Sequence, residues 1–166
     1  MGRRTVISNY RTFLAIAREA LRASEEADRK HKTPKPDGTG HIIIADPERQ
    51  SFKQSLVAIA FVGAFLDAVL YWIGRDVLGK SQYKKVTEGS NTYEHCLAKI
   101  FEKLCISDDD LINDCARFRE ARNELLHEKA IPIEELGKKG IRVAQKEAAN
   151  AVSVAIRIVE RLKIAI

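Results

Sequence analysis

One stretch of the chain carries side chains that could cleave a phosphodiester bond. It begins at position 117 and reads RFREARNELLHEK. Arg119, Asn123 and His127 are spaced four residues apart, so they share one face of a helix. Arg122 directly precedes Asn123 in the sequence, so its side chain projects from an adjoining face of the same helix. A histidine can move protons near neutral pH, an arginine can hold a phosphate through its fork of donors, and an asparagine can orient either group.

The same spacing indicates that one helix does not complete such a site. Around an ideal helix Arg122 and His127 are about 140° apart, too far to reach the same atom. We therefore expect a two-fold homodimer that brings two copies of residues 119–127 together across a cleft. The alternative is that His127 is only a helix C-terminal residue, which the helix dipole favours without any catalytic role.

The elements that must position these residues are helical, because apolar residues recur at helical spacing along most of the chain. This pattern predicts one all-α domain over 1–166, an antiparallel bundle of about five helices. Prolines and glycines break it at 32–47, a predicted flexible loop insertion in which 42–44 could form a short strand or an apolar clip. Residues 80–91 are predicted to be a polar connector, and Ser107 to cap the fourth helix. The predicted helices cover residues 4–30, 48–78, 93–105, 107–129 and 141–166.

Residues 56–73 form the most apolar segment, close to the length of about 20 residues that spans a membrane. Asp67 lies inside it, where a charge is unfavourable in lipid, and the amphipathic helices need a central element on which to pack. We therefore predict a core helix and no membrane association.

The remaining composition favours a cytoplasmic protein without a metal or cofactor. The N-terminus has no apolar signal segment, and the three cysteines have no CxxC spacing. Reduced thiols fit a cytoplasm best. No set of ligands has the spacing of a metal site.

Charge is distributed unevenly along the chain. The whole chain has a net charge of +5, with +5 in residues 1–36, +5 in 138–166 and −5 between them. The two basic ends could hold a polyanion such as RNA, although solvated helix faces would give the same counts.

A second motif, GRDVLGKS at 74–81, matches the P-loop pattern GxxxxGK[ST]. That motif binds phosphate only between a strand and a helix of a parallel sheet, whereas the preceding segment is predicted to be helical. The alternative is that Gly74 and Gly79 end a helix by C-capping. A P-loop nucleotide hydrolase is therefore the weaker functional hypothesis.

The stretch at 117–129 resembles the signature of the HEPN superfamily (higher eukaryotes and prokaryotes nucleotide-binding domain). That signature is Arg-x(4–6)-His, often Arg-Asn-x-x-x-His, near the end of a long helix in an all-α bundle. Arg122, Asn123 and His127 match it, and Gly-Ala-Phe-Leu-Asp at 63–67 is similar to an acidic segment of some members. The resemblance implies a metal-independent endoribonuclease that works as a dimer, in toxin–antitoxin, phage-defence or RNA-processing settings.

The resemblance also implies roles for individual residues. His127 would be the acid or base, Arg122 the phosphate clamp and Asn123 the orienting group, with Arg119 and Asp67 in support. Partners would be RNA, a second copy of the chain and an antitoxin or nucleotidyltransferase.

The chain departs from the family pattern at two positions. Lys129 stands where the branch modified by a nucleotidyltransferase antitoxin carries a tyrosine. Gly63 occupies the position of a frequent acid, with Asp67 one turn later; Asp67 either substitutes for that acid or pairs with an arginine. The remaining alternative is a HEPN-like module that binds nucleic acid, nucleotide or protein without cleavage.

Overall fold

The computed structural model describes residues 9–43, 47–90, 92–126 and 144–164. Within these ranges the chain forms six helices and one short hairpin, which confirms the predicted all-α helical bundle. The elements are α1 (Tyr10–Lys30), β1 (Lys32–Pro34), β2 (His41–Ile43), α2 (Gln50–Val77), α3 (Lys80–Gly89), α4 (Tyr93–Leu104), α5 (Asp109–Leu126) and α6 (Ala144–Arg161).

Helix α2 is the centre of the bundle, because it packs against each of the other five helices. Its length and composition would also allow it to cross a membrane: its most apolar window has a mean hydropathy of 2.2, and half of that window is buried within the fold. Fully buried side chains such as Val62, Phe65, Leu66 and Val69 supply the core contacts. In this structure α2 therefore packs as the core helix that the sequence predicts.

The C-terminal helix packs with the small residues that its periodicity predicts. Ala148, Ala151 and Ala155 of α6 are fully buried against the core, and Val152 is nearly so. On α5, Phe118 and Ala121 are buried, as expected from their spacing. Small side chains let the helices approach closely and bring α5 and α6 together around α2.

Two local predictions need correction, and one alternative that the sequence left open is settled. The polar connector predicted at 80–91 is largely helical, since α3 occupies Lys80–Gly89. Within the segment 32–47 the structure has an antiparallel hairpin, in which Lys32 pairs with Ile43 and Pro34 with His41, so the short strand that was one alternative for 42–44 lies at His41–Ile43. The residue that caps α5 is Asp108 rather than Ser107, because its Oδ1 accepts a hydrogen bond from the Leu111 N–H at 3.1 Å. Four predicted helix ends, at residues 4, 129, 141 and 166, lie outside the described residues.

Ion pairs tie the beginning of α5 to the end of α6. Arg157 contacts Asp114 at 2.6 Å and Asp108 at 3.3 Å, while Arg161 contacts Asp108 at 2.6 Å. Only 6% of the Asp108 side chain is exposed, so this carboxylate is held on one side by the helix amides and on the other by two guanidinium groups. Part of the positive charge at the C-terminal end of the sequence is therefore neutralised within the fold.

Candidate functional site

A cleft of about 310 Å³ opens beside the C-terminal half of α5. Four of the five site residues predicted from the sequence line it: Asp67, Arg119, Arg122 and Asn123. The fifth, His127, lies outside the described residues. The remaining lining residues come from α2, α3, α4 and the turn before α4: Leu70, Tyr83, Thr92, Tyr93 and Cys96. We call this feature the Arg122 cleft.

Helix α2 accommodates the side chain of Arg122 through a missing methyl group. Gly63 is buried on α2, and a Cβ atom built there would lie 2.7 Å from Nε of Arg122 and 3.2 Å from its Cδ. A glycine inside a helix destabilises it by about 0.5–1 kcal/mol relative to alanine. The absent side chain is what lets the shaft of Arg122 lie against α2, and we call this gap the Gly63 notch.

The same packing leaves one polar atom of Arg122 unsatisfied. Its Nε is buried and has no hydrogen-bond partner among the residues that the structure describes. A buried donor without a partner costs about 1–3 kcal/mol. The rest of the fold therefore holds the shaft of Arg122 against α2 although one of its donors is unsatisfied.

Tyr93 and Asp67 also line the Arg122 cleft. Burial raises the pKa of Tyr93 to about 12, and the charge of Asp67 and a hydrogen bond to its carboxylate act in the same direction, while Arg122 opposes them. The Tyr93 ring stacks on Phe118 with 6.0 Å between centroids. The phenol is therefore protonated at neutral pH.

Asp67 is exposed, so its carboxylate is hydrated and does not require a buried cation. It lies on α2 one turn after the Gly63 notch, so the notch and the carboxylate face the same cleft. Asp67 and Arg122 therefore line one cleft, and whether Asp67 substitutes for the acid of the family pattern or pairs with an arginine stays a prediction.

Arg119 forms an ion pair within the fold. Its Nε lies 3.0 Å and 3.2 Å from the two carboxylate oxygens of Glu94, and about a third of the Arg119 side chain is exposed. This pair joins α5 to the first turn of α4. Arg119 consequently positions the wall that carries Tyr93, whereas Asn123 is exposed at the cleft and available to a ligand.

Arg122, Asn123 and Asp67 line the described part of the cleft with polar groups that a ligand could contact. The pKa of Tyr93 is raised to about 12, and burial together with Glu94 raises the pKa of Cys96, so neither of these two groups is suited to proton transfer near neutral pH. Among the described residues, no group of three or more His, Cys, Asp and Glu side chains could hold a metal ion.

Two residues of the site were not predicted from the sequence. Gly63 makes room for Arg122, and Tyr93 lines the cleft together with Asp67. The signal for Gly63 was available, since a glycine inside a long apolar helix implies a close approach. Tyr93 had no such signal, because it comes from another helix and its spacing to Asp67 carries no periodicity.

The P-loop pattern lacks the structural context that would make it a phosphate site. Gly74 lies within α2, and Lys80 and Ser81 begin α3, so a helix precedes the motif where a strand is required. Gly79 has a φ of +80° directly after α2, as expected of a residue that ends a helix. Gly74 has a different role, because a Cβ there would lie 2.5 Å from two ring carbons of Tyr83.

No family model, curated protein or solved structure matches this chain significantly. The function is therefore inferred from the Arg122 cleft and from the motif at 119–127.

Proposed function

We propose that this protein is a HEPN-like endoribonuclease that cleaves RNA without a metal ion. The observation that carries the proposal is the guanidinium of Arg122, which is held at a cleft by the Gly63 notch with its Nε buried and unpartnered among the described residues. A phosphate bound there would receive charge-assisted hydrogen bonds from the rest of the fork. Asp67 and Asn123 line the same cleft.

In the proposed reaction each residue has one task. Arg122 binds the scissile phosphate and stabilises the negative charge that develops on it. His127 moves the proton, as base or acid, and Asn123 orients the phosphate or the imidazole. Asp67 accepts the hydrogen bond of Tyr93 and faces Arg122, and Arg119 holds the α4 wall through Glu94.

We further propose that two copies of the chain act together in the cytoplasm. The angular separation of Arg122 and His127 on one helix supports this arrangement, because a second copy could supply the histidine that one copy cannot aim. Sedimentation should then show a dimer at tens of micromolar. A monomer under those conditions, or a dimer with its two motifs on opposite outer faces, would count against it. An antitoxin or a nucleotidyltransferase is the partner that the family resemblance implies.

Cleavage of RNA in the presence of EDTA tests the proposal. The His127→Ala variant should cleave about 10²–10⁴-fold more slowly while largely retaining RNA binding. The Arg122→Ala variant should lose both rate and affinity, and Arg122→Lys should recover only part, because lysine restores the charge without the fork. The rate should show one pH limb near the pKa of a histidine, about 6.5.

Arg117→Ala is the matched control for these variants. Arg117 lies on the same helix, 77% of its side chain is exposed, and it pairs with Asp114 outside the cleft. Its loss should leave cleavage unchanged. Full activity in His127→Ala, or complete dependence on a divalent ion, would refute the proposed mechanism.

A second candidate function is RNA binding without cleavage. The described part of the cleft favours it, because it combines phosphate-binding groups with ionisable groups whose pKa values are raised away from neutrality. In that case the wild type would bind RNA without cutting it. Arg122→Ala would then weaken binding, and His127→Ala would leave it unchanged.

A further inference from the structure

An exposed tyrosine stands beside the Arg122 cleft on the surface of α2. Tyr71 is 51% exposed, which is unusual for so large a ring on the central helix of a bundle. It lies one turn beyond Asp67 on the same face of α2, so the ring and the cleft adjoin.

The surroundings fix the Tyr71 ring in place. The guanidinium of Arg75 lies over it, 4.9 Å from the centroid, and Nη1 of Arg75 donates a hydrogen bond to the Tyr71 hydroxyl. The ring of Tyr83 meets it nearly at right angles, with 5.8 Å between centroids and an interplanar angle of 84°. Tyr83 is itself held where Gly74 lacks a Cβ.

Tyr83 connects this surface to the cleft, because it lines the cleft and also contacts Tyr71. Its pKa is raised first by burial and then by Cys96, Tyr71 and Asp67, which reflects the closeness of these groups. A ligand that fills the cleft at Arg122 would therefore extend directly onto Tyr71. We call Tyr71, Arg75 and Tyr83 the Tyr71 platform.

We propose that the Tyr71 platform binds an unpaired base of single-stranded RNA whose phosphate lies in the Arg122 cleft. This inference rests on the proposed function and names its substrate class. Proteins recognise single-stranded RNA by stacking splayed bases on aromatic rings and arginine planes. Here a fixed aromatic ring and a guanidinium lie together beside a phosphate-binding arginine. A duplex keeps its bases stacked inside the helix and cannot offer one to the ring.

The test is RNA affinity in the His127→Ala background, which the proposed mechanism makes inactive so that the RNA stays intact. Base stacking on an aromatic side chain contributes about 1–3 kcal/mol. Tyr71→Ala should therefore weaken binding of a single-stranded oligonucleotide about 5- to 150-fold. Tyr71→Phe should bind nearly as wild type. Tyr71→Leu, which keeps apolar bulk but no aromatic face, should resemble the alanine variant.

Two further arms make the outcome specific. An oligonucleotide with one abasic position should lose affinity for the wild-type platform, and Tyr71→Ala should remove that difference. A blunt-ended duplex, which has no unpaired base, should bind equally to the protein with and without Tyr71. Val57→Ala is the matched control, since Val57 is 36% exposed on the same helix far from the cleft.

Each other outcome is informative. Unchanged single-strand affinity in Tyr71→Ala overturns the platform while leaving the proposed ribonuclease intact. A second outcome is that Tyr71→Ala converts a dimer to a monomer in sedimentation while its single-strand affinity per subunit is unchanged. That result would identify this face of α2 as a contact between copies, and it would also overturn the Tyr71 platform. Absence of any RNA binding by the wild type would overturn both proposals together.

Discussion

Filling the Gly63 notch with a methyl group should change activity and stability in different directions. In Gly63→Ala the new Cβ would lie 2.7 Å from Nε of Arg122, whereas ordinary contact begins at 3.4 Å. The backbone of α2 is fixed by its contacts with five helices, so the arginine side chain must yield. The guanidinium should retreat toward solvent by about 0.7 Å.

The fold should tolerate this change. Alanine stabilises a helix interior by about 0.5–1 kcal/mol relative to glycine. Moving Nε toward water also relieves a buried donor whose missing partner costs about 1–3 kcal/mol. Lost packing of the Arg122 shaft offsets part of this gain. We expect a free energy of unfolding that is unchanged or higher by about 1 kcal/mol, which raises Tm by about 2–4 °C in a chain of this size.

Activity should fall nonetheless, because the displaced group is the proposed phosphate clamp. A misplacement of about 1 Å at a reacting group can slow catalysis about 10²-fold. We expect Gly63→Ala to cleave RNA about 10- to 100-fold more slowly, with a melting curve at least as high as that of the wild type. Hydrogen exchange of the Arg122 Nε–H, followed by nuclear magnetic resonance, should accelerate even if no substrate is present.

Two controls define the result. Gly89→Ala adds a methyl group where no atom lies within 4 Å, so it should leave both cleavage and Nε–H exchange unchanged. The double variant Gly63→Ala with Arg122→Ala should be no slower than Arg122→Ala alone, since both changes act on one group. Wild-type cleavage and unaltered exchange in Gly63→Ala would refute the reasoning, and so would a Tm several degrees lower.

Two other predictions concern stability and pH. The pKa of Tyr93 is raised from its usual value near 10 to about 12. The stability that the protonated phenol contributes is therefore complete below pH 10 and is lost as the pH rises through about 12. Tyr93→Phe should flatten this alkaline fall in Tm. Burial alone would raise the pKa of Asp108, but the Leu111 amide, Arg161 and Arg157 outweigh it and lower the pKa below 3.8. The ionised Asp108 carboxylate therefore adds to the free energy of unfolding above pH 3.8, and this stabilisation is lost as the pH falls through the lowered pKa. Asp108→Ala should cost about 1–2 kcal/mol in urea unfolding because a helix cap is lost, while Asp108→Asn, which keeps the cap, should cost less.

The helices could be read from the sequence because each has a periodic apolar face of its own. The stripe of alanines and valines on α6 and the continuous apolar run of α2 predicted which residues are buried. Helix α3 was missed for the same reason, since none of its residues is buried and its polar surface gives no periodic signal. Asp108 was missed as a cap because Ser107 precedes it and both residue types can fill that position.

The candidate site was predictable only along one helix. The spacing of Arg119, Arg122 and Asn123 places them together whatever surrounds α5. Which residues face them depends on how α2 and α4 pack, and that is set by the whole core. Tyr93 could not be named in advance for this reason, and Asp67 was named through the resemblance alone.

Helix α2 carries two single-methyl gaps on one side, at Gly63 and Gly74, about three helical turns apart. The gap at Gly63 makes room for the side chain of Arg122, and the gap at Gly74 makes room for the ring of Tyr83, which packs α3 against α2. If Arg122 binds a phosphate as proposed, selection would act on the two positions for different reasons, although glycine and alanine codons differ by one base at either. A methyl group at 63 should lower activity and leave the fold intact, whereas one at 74 would overlap the ring of Tyr83 and disturb the packing between α2 and α3. Natural variants that keep glycine at 74 but not at 63 would thus mark lineages that retained the scaffold after abandoning the chemistry.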